Sequence, residues 1–401
     1  MRVLLSAYAV SPSRGGEPGN SWKLARGLAE RGVEVDVVCT PPAPMDRAEV
    51  AAAPPQLRLL TVGEYVPPAD PSNRVSEYWQ YRRWQRRSVP VAEAAVAERH
   101  YDLVHHYSWG SLLWGSPLWR CGPPMVFGPV GGGAVASGAL RGAMRRRDRV
   151  FEAARGLAAS SIRLDPLARA VVRRSTVLVN ETATGRLVAA LGGSVAVTVL
   201  QDTIDPRWLQ ATPTDRSNRG RSVLWAARFL PRKGPTLAVE VAARLPLDVR
   251  LTMVGDGPEM ERCRALAEER GVAERIDFVG RVSHDRLREL MECHAVFLYT
   301  SIRDTFGGQV AEAAACGTPL VAIRQHGIAD HVPPSCGVLV EPDTVAATVA
   351  ALAGGVRVLL DDHDRWRMAS EAARAFASDF STDRRVEAMM KVYERTVSDA
   401  V

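Results

Sequence analysis

The sequence predicts an α/β protein built from two doubly wound domains, each with a parallel sheet. Short apolar segments bounded by turn residues alternate with helical patterns along the whole chain of 401 residues. That alternation is typical of parallel strands joined by crossover helices. The length is the second observation, because a single hydrophobic core rarely extends beyond roughly 250–300 residues.

The first half begins with an apolar strand at 2–7 that runs into a glycine-rich loop. A helix is predicted over 21–31, because the pattern stops at Gly32. Further strands are predicted at 33–39, 57–62, 102–106, 125–130, 176–180 and 195–200.

The second half repeats the scheme after a polar linker at 212–221. Helices are predicted at 235–244 and 259–270, and a long helix at 381–397. Strands are predicted at 222–226, 249–254, 275–279, 295–300, 319–323 and 337–340. These patterns predict a first domain at 1–211, a second at 222–380, and a final segment at 381–401 that returns to the first domain.

The composition is that of a globular protein and excludes several classes. Hydrophobic residues make up 46% and charged residues 24% of the chain. The apolar runs are too short to span a bilayer, and residues 1–7 read as a strand rather than a signal peptide. The six cysteines are scattered, which argues against a disulfide framework and favours the cytoplasm. The net charge of +6 suits anionic ligands or membrane surfaces, but no nucleic-acid-binding module is present.

Residues 301–317 carry the most informative pattern. Asp304 and Glu312 are separated by seven residues, and Gly307 and Gly308 lie between them at the start of an alanine-rich helical run. A helix that begins at glycines leaves backbone N–H groups uncovered and attracts phosphate. Glu312 is then placed to bind ribose hydroxyls, and Asp304 a second group of hydroxyls. Diphosphate, ribose and sugar together predict a nucleotide-sugar site.

This pattern resembles the E-x7-E motif of the retaining family 4 glycosyltransferases of the GT-B fold, with Asp304 in place of the first Glu. The similarity covers nearly the whole chain, most firmly residues 222–342. It implies two Rossmann-like domains with the ligand cleft between them. It also implies a nucleotide diphosphate-sugar as co-substrate, with no metal and no other cofactor. The implied donor contacts in this motif are Asp304, Phe306, Gly307, Gly308 and Glu312.

Two further stretches of the second half carry the resemblance. The segment Arg-Phe-Leu-Pro-Arg-Lys-Gly at 228–234 resembles the family's Gly-Arg-Leu-x-x-x-Lys-Gly segment, so Arg228 and Lys233 are implied to hold the diphosphate. Such cations also stabilise a departing diphosphate as its charge develops. A Val-Gly-Arg-Val stretch that contains Arg281 and Val282 matches a family stretch near the nucleobase.

The first half contributes a loop and a histidine pair. Its Gly-Gly-Glu-Pro-Gly loop resembles that of a bacterial branch of the family, which implies that Gly16 lets the loop approach the donor phosphates. His105 and His106 end a predicted strand where many family members carry a histidine near the sugar or the acceptor. We favour His106, with His105 as the alternative. No protein nucleophile is implied, because a donor phosphate oxygen can take the acceptor proton.

Three features have two interpretations each. The motif Asp362-His363-Asp364 has the form that binds metal in other glycosyltransferases, but it reads better as a helix N-cap with first-turn acids. The stretch 78–87 interleaves aromatic residues with arginine, and 141–149 contains five arginines. Each stretch is either a membrane or acceptor surface or a solvated helix face over core aromatic residues.

We therefore expect a metal-independent, retaining hexosyltransferase whose catalytic residues are His106, Asp304, Arg228 and Lys233. A UDP-sugar is favoured as donor, with UDP-GlcNAc among the candidates. The acceptor hydroxyl belongs to a small secondary metabolite or aminocyclitol, or to a cell-envelope glycan or lipid. The expected location is the cytoplasm, with contact at the inner membrane face as an option.

Two other functions fit parts of the pattern. A nucleotide-sugar 2-epimerase of the GT-B fold also places acids and a histidine around the donor, but lacks the pair formed by Arg228 and Lys233. The third hypothesis is a non-catalytic protein that binds a nucleotide-sugar.

Overall fold

The computed structural model describes residues 1–14, 16–64, 74–198, 203–204, 206–210 and 219–400. The predicted linker at 212–221 and the end of the strand predicted at 195–200 therefore lie largely or partly outside the described residues. The chain divides into two compact units. The first comprises Met1–Gly133, Ala159–Thr203 and Thr382–Val401, and the second comprises Ala134–Ala158 and Ile204–Ser381.

Strands and helices alternate in both units. The strands are β1 (Arg2–Ser6), β2 (Glu34–Cys39), β3 (Leu57–Thr61), β4 (Leu103–His106), β5 (Met125–Val130), β6 (Thr176–Val179), β7 (Val195–Thr198), β8 (Ser222–Ala226), β9 (Arg250–Val254), β10 (Ile276–Gly280), β11 (Val296–Tyr299), β12 (Leu320–Ile323) and β13 (Gly337–Val340). The helices are α1 (Glu17–Glu30), α2 (Arg47–Ala51), α3 (Arg74–Glu98), α4 (Arg146–Ser161), α5 (Pro166–Arg173), α6 (Thr182–Ala190), α7 (Pro206–Leu209), α8 (Pro235–Ala242), α9 (Met260–Glu269), α10 (His284–Cys293), α11 (Gly308–Ala315), α12 (Gly327–His331), α13 (Val345–Asp361), α14 (His363–Ala377) and α15 (Thr382–Ser398).

Each unit is built on one parallel sheet. The first sheet has the strand order β3-β2-β1-β4-β5-β6-β7, and the second has the order β10-β9-β8-β11-β12-β13. The paired strands are parallel in both sheets. The order reverses at the first strand of each unit, and ligands bind beyond the carboxyl ends of strands at such a point. The predicted fold class is confirmed.

The cores cover both faces of the sheets. In β1, Leu4 belongs to one apolar cluster of the first unit, while Val3 and Leu5 belong to another. Alternate residues of a strand point to opposite faces, so a strand covered on both sides is apolar throughout. This continuous apolar pattern is why the strands were readable from the sequence.

Helix α15 packs within the first unit. Its Val386, Met389 and Tyr393 lie in the same apolar cluster as β1. Gly27 of α1 faces it so closely that a Cβ there would lie 2.6 Å from Cγ2 of Val386. The last helix is therefore held by apolar packing far from its neighbours in sequence.

The second unit contains residues 134–158, which the sequence-based division placed in the first domain. Ala136, Leu140 and Met144 belong to the apolar core of the second unit. Arg145 also forms an ion pair with the buried Glu259, with Nε 3.3 Å from Oε1. A division by chain order misses this segment because its partners are more than a hundred residues away.

Candidate functional site

The candidate site of the second unit lies beyond the carboxyl ends of two neighbouring strands. Lys233 ends a short 3-10 turn that follows β8, and Asp304 lies on the loop that follows β11. β8 and β11 are adjacent and parallel. Their carboxyl ends therefore meet at one edge of the sheet, which brings together two loops 71 residues apart.

Asp304 is the centre of a dense polar cluster. Its Oδ2 accepts hydrogen bonds from Nζ of Lys233 and, at 2.6 Å, from the hydroxyl of Tyr299. Its Oδ1 accepts from Nη1 of Arg232 at 3.3 Å and from the backbone N–H of Thr305 at 3.2 Å. The carboxylate thus lies between two cations, and its geometry is fixed by four donors.

The charges of this cluster depend on one another. Burial raises the pKa of Asp304, but the charges of Lys233 and Arg232 and the hydrogen bonds to the carboxylate outweigh it and hold the pKa well below its usual range. Burial lowers the pKa of Lys233, and Asp304 opposes this only in part. Burial and the neighbouring Asp304 raise the pKa of Tyr299. Asp304 is therefore ionised at neutral pH, and Tyr299 remains a hydrogen-bond donor.

Two glycines permit this close arrangement. Gly307 has φ 96°, and a Cβ built there would lie 2.3 Å from the hydroxyl of Tyr299. Gly234 has φ 62°, and a Cβ there would lie 2.3 Å from the carbonyl oxygen of Thr300. Positive φ values are costly for residues with a side chain. In the structure, the requirement for glycine at 307 thus arises from the protein's own packing.

Helix α11 begins directly beside the cluster. Gly308 is its first residue, and the N-cap residue Gly307 has no side chain to accept a hydrogen bond from the first turn. Glu312 lies one turn further along and is half-buried, while Ala311 and Ala313 are buried. A bare helix N-terminus beside two cations is a chemical match for phosphate oxygens.

The remaining predicted donor residues lie in three settings. Arg228 follows β8 and is exposed. Arg281 is exposed and lies 3.9 Å from Asp256, and Val282 beside it is half-buried. The ring of Phe306 is buried and stacks on Phe380 with centroids 5.3 Å apart. The donor contacts assigned to these residues stay predictions.

The predicted site residues of the first unit are Gly16 and His106. Gly16 precedes α1 with φ 68°, and a Cβ there would meet nothing within 4 Å, so open space lies beside this loop. Gly15 lies outside the described residues. His106 is buried, with Nδ1 3.0 Å from Oγ of Ser6 and Nε2 3.1 Å from the hydroxyl of Tyr81.

His105 is held in the same manner as its neighbour. Its Nδ1 lies 2.6 Å from the hydroxyl of Tyr393, and its Nε2 lies 2.7 Å from the carbonyl oxygen of Gly128. Burial lowers the pKa of His105 to about 4 and that of His106 to about 3. Both have the arrangement of neutral core histidines, and a catalytic role for His106 stays a prediction.

Several residues of the cluster were not singled out from the sequence. Arg232 stands inside the segment at 228–234, and its spacing next to Lys233 was a usable signal. Tyr299 ends β11, and no sequence motif distinguishes it from a core aromatic residue. No feature of the sequence marked Glu152 as part of the site. Its carboxylate accepts two hydrogen bonds from Arg303, at 2.7 and 2.9 Å, and Arg303 directly precedes Asp304.

The ambiguous sequence features are partly resolved. Asp362 is the N-cap of α14, with Oδ1 accepting from the N–H of Arg365 at 2.9 Å, which confirms that interpretation. In the stretch 78–87, Tyr81 and Trp84 are core residues, whereas Trp79 is exposed. Within the described ranges, no three His, Cys, Asp or Glu side chains are grouped to hold a metal ion. None of the helices in the described part of the chain has the length and hydropathy needed to cross a bilayer.

Comparison with known families decides the class of protein. The model for glycosyl transferases group 1 matches residues 209–376, and the model for Glycosyltransferase Family 4 matches residues 21–207. A D-inositol 3-phosphate glycosyltransferase of Acidothermus cellulolyticus is 30% identical over 94% of this chain and 85% of its own length. The chain belongs to the group 1 glycosyltransferases of family 4.

Other relatives of this glycosyltransferase extend the comparison. A 2-deoxystreptamine glucosyltransferase of Streptomyces kanamyceticus is 32% identical over 47% of this chain and 51% of its own length. Among solved structures, Anabaena HepE in complex with UDP has a TM-score of 0.65 at 17% identity, and the match covers 98% of this chain and all of HepE. That structural match confirms the GT-B fold.

Proposed function

We propose that this glycosyltransferase moves a hexose from a nucleotide diphosphate-sugar, with UDP favoured, to a hydroxyl group of a cyclitol-like acceptor, and that the anomeric configuration is retained. The observation that carries the proposal is the cluster of Lys233 and Arg232 beside the uncapped start of α11. Two adjacent cations and free helix N–H groups suit the two phosphates of such a donor.

Each charged residue of the candidate donor site has a role in this proposal. Lys233, Arg232 and Arg228 neutralise the diphosphate and stabilise its growing charge as the bond to the sugar breaks. Glu312, one turn inside α11, accepts hydrogen bonds from the ribose hydroxyls. Asp304 binds hydroxyls of the sugar, and its hydrogen bond with Lys233 positions that cation.

No protein nucleophile takes part in the proposed reaction. The acceptor oxygen bonds to the anomeric carbon on the face that the diphosphate leaves. A phosphate oxygen takes the acceptor proton, and the nucleoside diphosphate departs. This path needs neither a metal nor a charged histidine, in keeping with the neutral state of His106.

The acceptor class is supported by what the relatives are named for. One acts on D-inositol 3-phosphate and another on 2-deoxystreptamine, and both substrates are polyhydroxylated six-membered rings. We therefore place a cyclitol or an aminocyclitol ahead of a cell-envelope glycan or lipid. UDP ranks first as the nucleotide because a protein of the same fold, HepE, binds it.

The decisive test is mass spectrometry of products from mixed nucleotide-sugars with inositol phosphate and 2-deoxystreptamine as acceptors. We expect one glycoside from a UDP-sugar, with an anomeric coupling constant that shows retention. A donor epimerised at C2 without acceptor would instead identify an epimerase, and tight UDP binding without any product would identify a binding protein.

The role of the cations is tested by Lys233→Ala, with Lys391→Ala as its matched control. Lys391 is an exposed lysine of α15 paired with Glu387. We expect Lys233→Ala to abolish turnover with an unchanged circular dichroism spectrum, and Lys391→Ala to behave as wild type. Glu312→Ala is expected to lose most of the UDP affinity by calorimetry. Unchanged turnover of Lys233→Ala would refute the assignment.

A further inference from the structure

Helix α4 buries an acidic side chain and exposes three large apolar side chains to solvent. Glu152, on its inner face, is buried. Val150, Phe151 and Leu157 are 67%, 65% and 74% exposed. A surface helix of a globular protein normally has the opposite arrangement, with its apolar stripe towards the core. Buried charge and exposed large apolar side chains on one helix indicate that its outer face has a partner.

Ion pairs on the inner face fix the rotation of the helix. Both carboxylate oxygens of Glu152 accept from Arg303, at 2.7 and 2.9 Å, and Arg155 lies 3.7 Å from the same carboxylate. Arg155 also donates to the carbonyl oxygen of Ala134. These contacts hold Glu152 inwards. A rotation that buried the apolar side chains would break the pair with Arg303.

The outer face is continuous and is bordered by positive charge. Residues 150, 151, 154, 157 and 158 follow the spacing of one helix face, and they are Val, Phe, Ala, Leu and Ala. Residues 141–158 contain six arginines and two acids, and one of those acids is the buried Glu152. Arg146, Arg147 and Arg149 are exposed at the beginning of the helix.

We propose that this face of α4, comprising Arg146, Arg147, Arg149, Val150, Phe151 and Leu157, rests on an anionic lipid bilayer. Apolar side chains between arginines match the interfacial region, where side chains reach the acyl boundary and guanidinium groups bind lipid phosphates. Juxtaposed arginines draw such a helix to a negatively charged leaflet. The contact is peripheral. The proposal is independent of the donor and acceptor chemistry.

The test is co-sedimentation of the full chain with vesicles of phosphatidylcholine alone or of equal parts phosphatidylcholine and phosphatidylglycerol. We expect binding to the anionic vesicles only, and weaker binding at high salt because the arginine contribution is screened. The double variant Phe151→Glu/Leu157→Glu should lower the vesicle partition coefficient by about tenfold or more. It removes two apolar side chains from the contact and introduces negative charges that the anionic lipid repels.

Leu247→Glu is the matched control, because Leu247 is an 85% exposed leucine of the same unit outside α4. It should bind vesicles as wild type does. Circular dichroism and UDP calorimetry on all variants report whether each remains folded. Equal vesicle binding by the double variant and wild type would overturn the proposal. The proposal would also be overturned if the wild-type protein were a dimer without lipid and the double variant were a monomer. The face would then bind a second copy of the chain.

Discussion

Acidification is expected to destabilise the first unit through its two buried histidines. Burial holds the pKa of His105 at about 4 and that of His106 at about 3. In an unfolded chain a histidine has a pKa of about 6.5. Between these values the unfolded chain binds protons that the folded chain does not, so stability falls as the pH falls. The contribution is fully present above about pH 6.5.

The magnitude follows from the linkage relation. Each pH unit between the two pKa values corresponds to about 1.4 kcal/mol per histidine. Lowering the pH from about 7 to about 5 should therefore cost about 2 kcal/mol for each residue, because uptake by the unfolded chain begins near pH 6.5. The two histidines together should cost about 4 kcal/mol over that range.

The assay is urea denaturation at both pH values for wild type, His106→Gln and His100→Gln. His106→Gln removes the titrating ring, so it should lose about 2 kcal/mol less than wild type on acidification. His100 is an exposed residue beyond α3, and its variant should follow wild type. An equal loss in wild type and His106→Gln would refute the reasoning. Ring NMR signals of His106 that titrate near pH 6.5 would refute it independently.

Three further predictions concern the second unit. Gly307→Ala should lower the free energy of unfolding by about 2 kcal/mol or more, because the new Cβ would meet the hydroxyl of Tyr299. The control is Gly354→Ala in α13, where a Cβ would meet open space, and this variant should not be destabilised. Glu152→Gln should cost about 3 kcal/mol by leaving Arg303 without its carboxylate, whereas Glu289→Gln, from an exposed pair, should stay within about 0.5 kcal/mol. Equal unfolding midpoints within either pair would contradict these arguments. Asp304→Asn should bind UDP several-fold more tightly in calorimetry, because Lys233 and Arg232 lose the carboxylate that competes with phosphate. Its transfer activity should fall. Weaker UDP binding by this variant would contradict the proposed competition between Asp304 and phosphate.

The sequence alone was sufficient for the fold class and for the family. Strands covered on both faces are continuously apolar, so β1 or β8 can be read without knowing its neighbours. Glycine and acid spacing around Gly307 and Glu312 is local, as is the N-cap at Asp362. These features depend on contacts between residues that are close in the sequence, so the sequence alone predicts them.

Only the tertiary structure decided which groups meet. Asp304 binds Lys233 because β8 and β11 are neighbours in the sheet. The order of strands in a sheet cannot be predicted from the sequence of any single segment. Glu152 is buried, and Phe151 beside it exposed, because Arg303 holds the carboxylate from the other half of the sequence. His105 and His106 are neutral because burial lowers their pKa values, and residues distant in the sequence such as Tyr393 help to enclose them. The sequence thus determined the local pattern and the chemistry available, whereas burial and long-range pairing determined the charge and accessibility of each group.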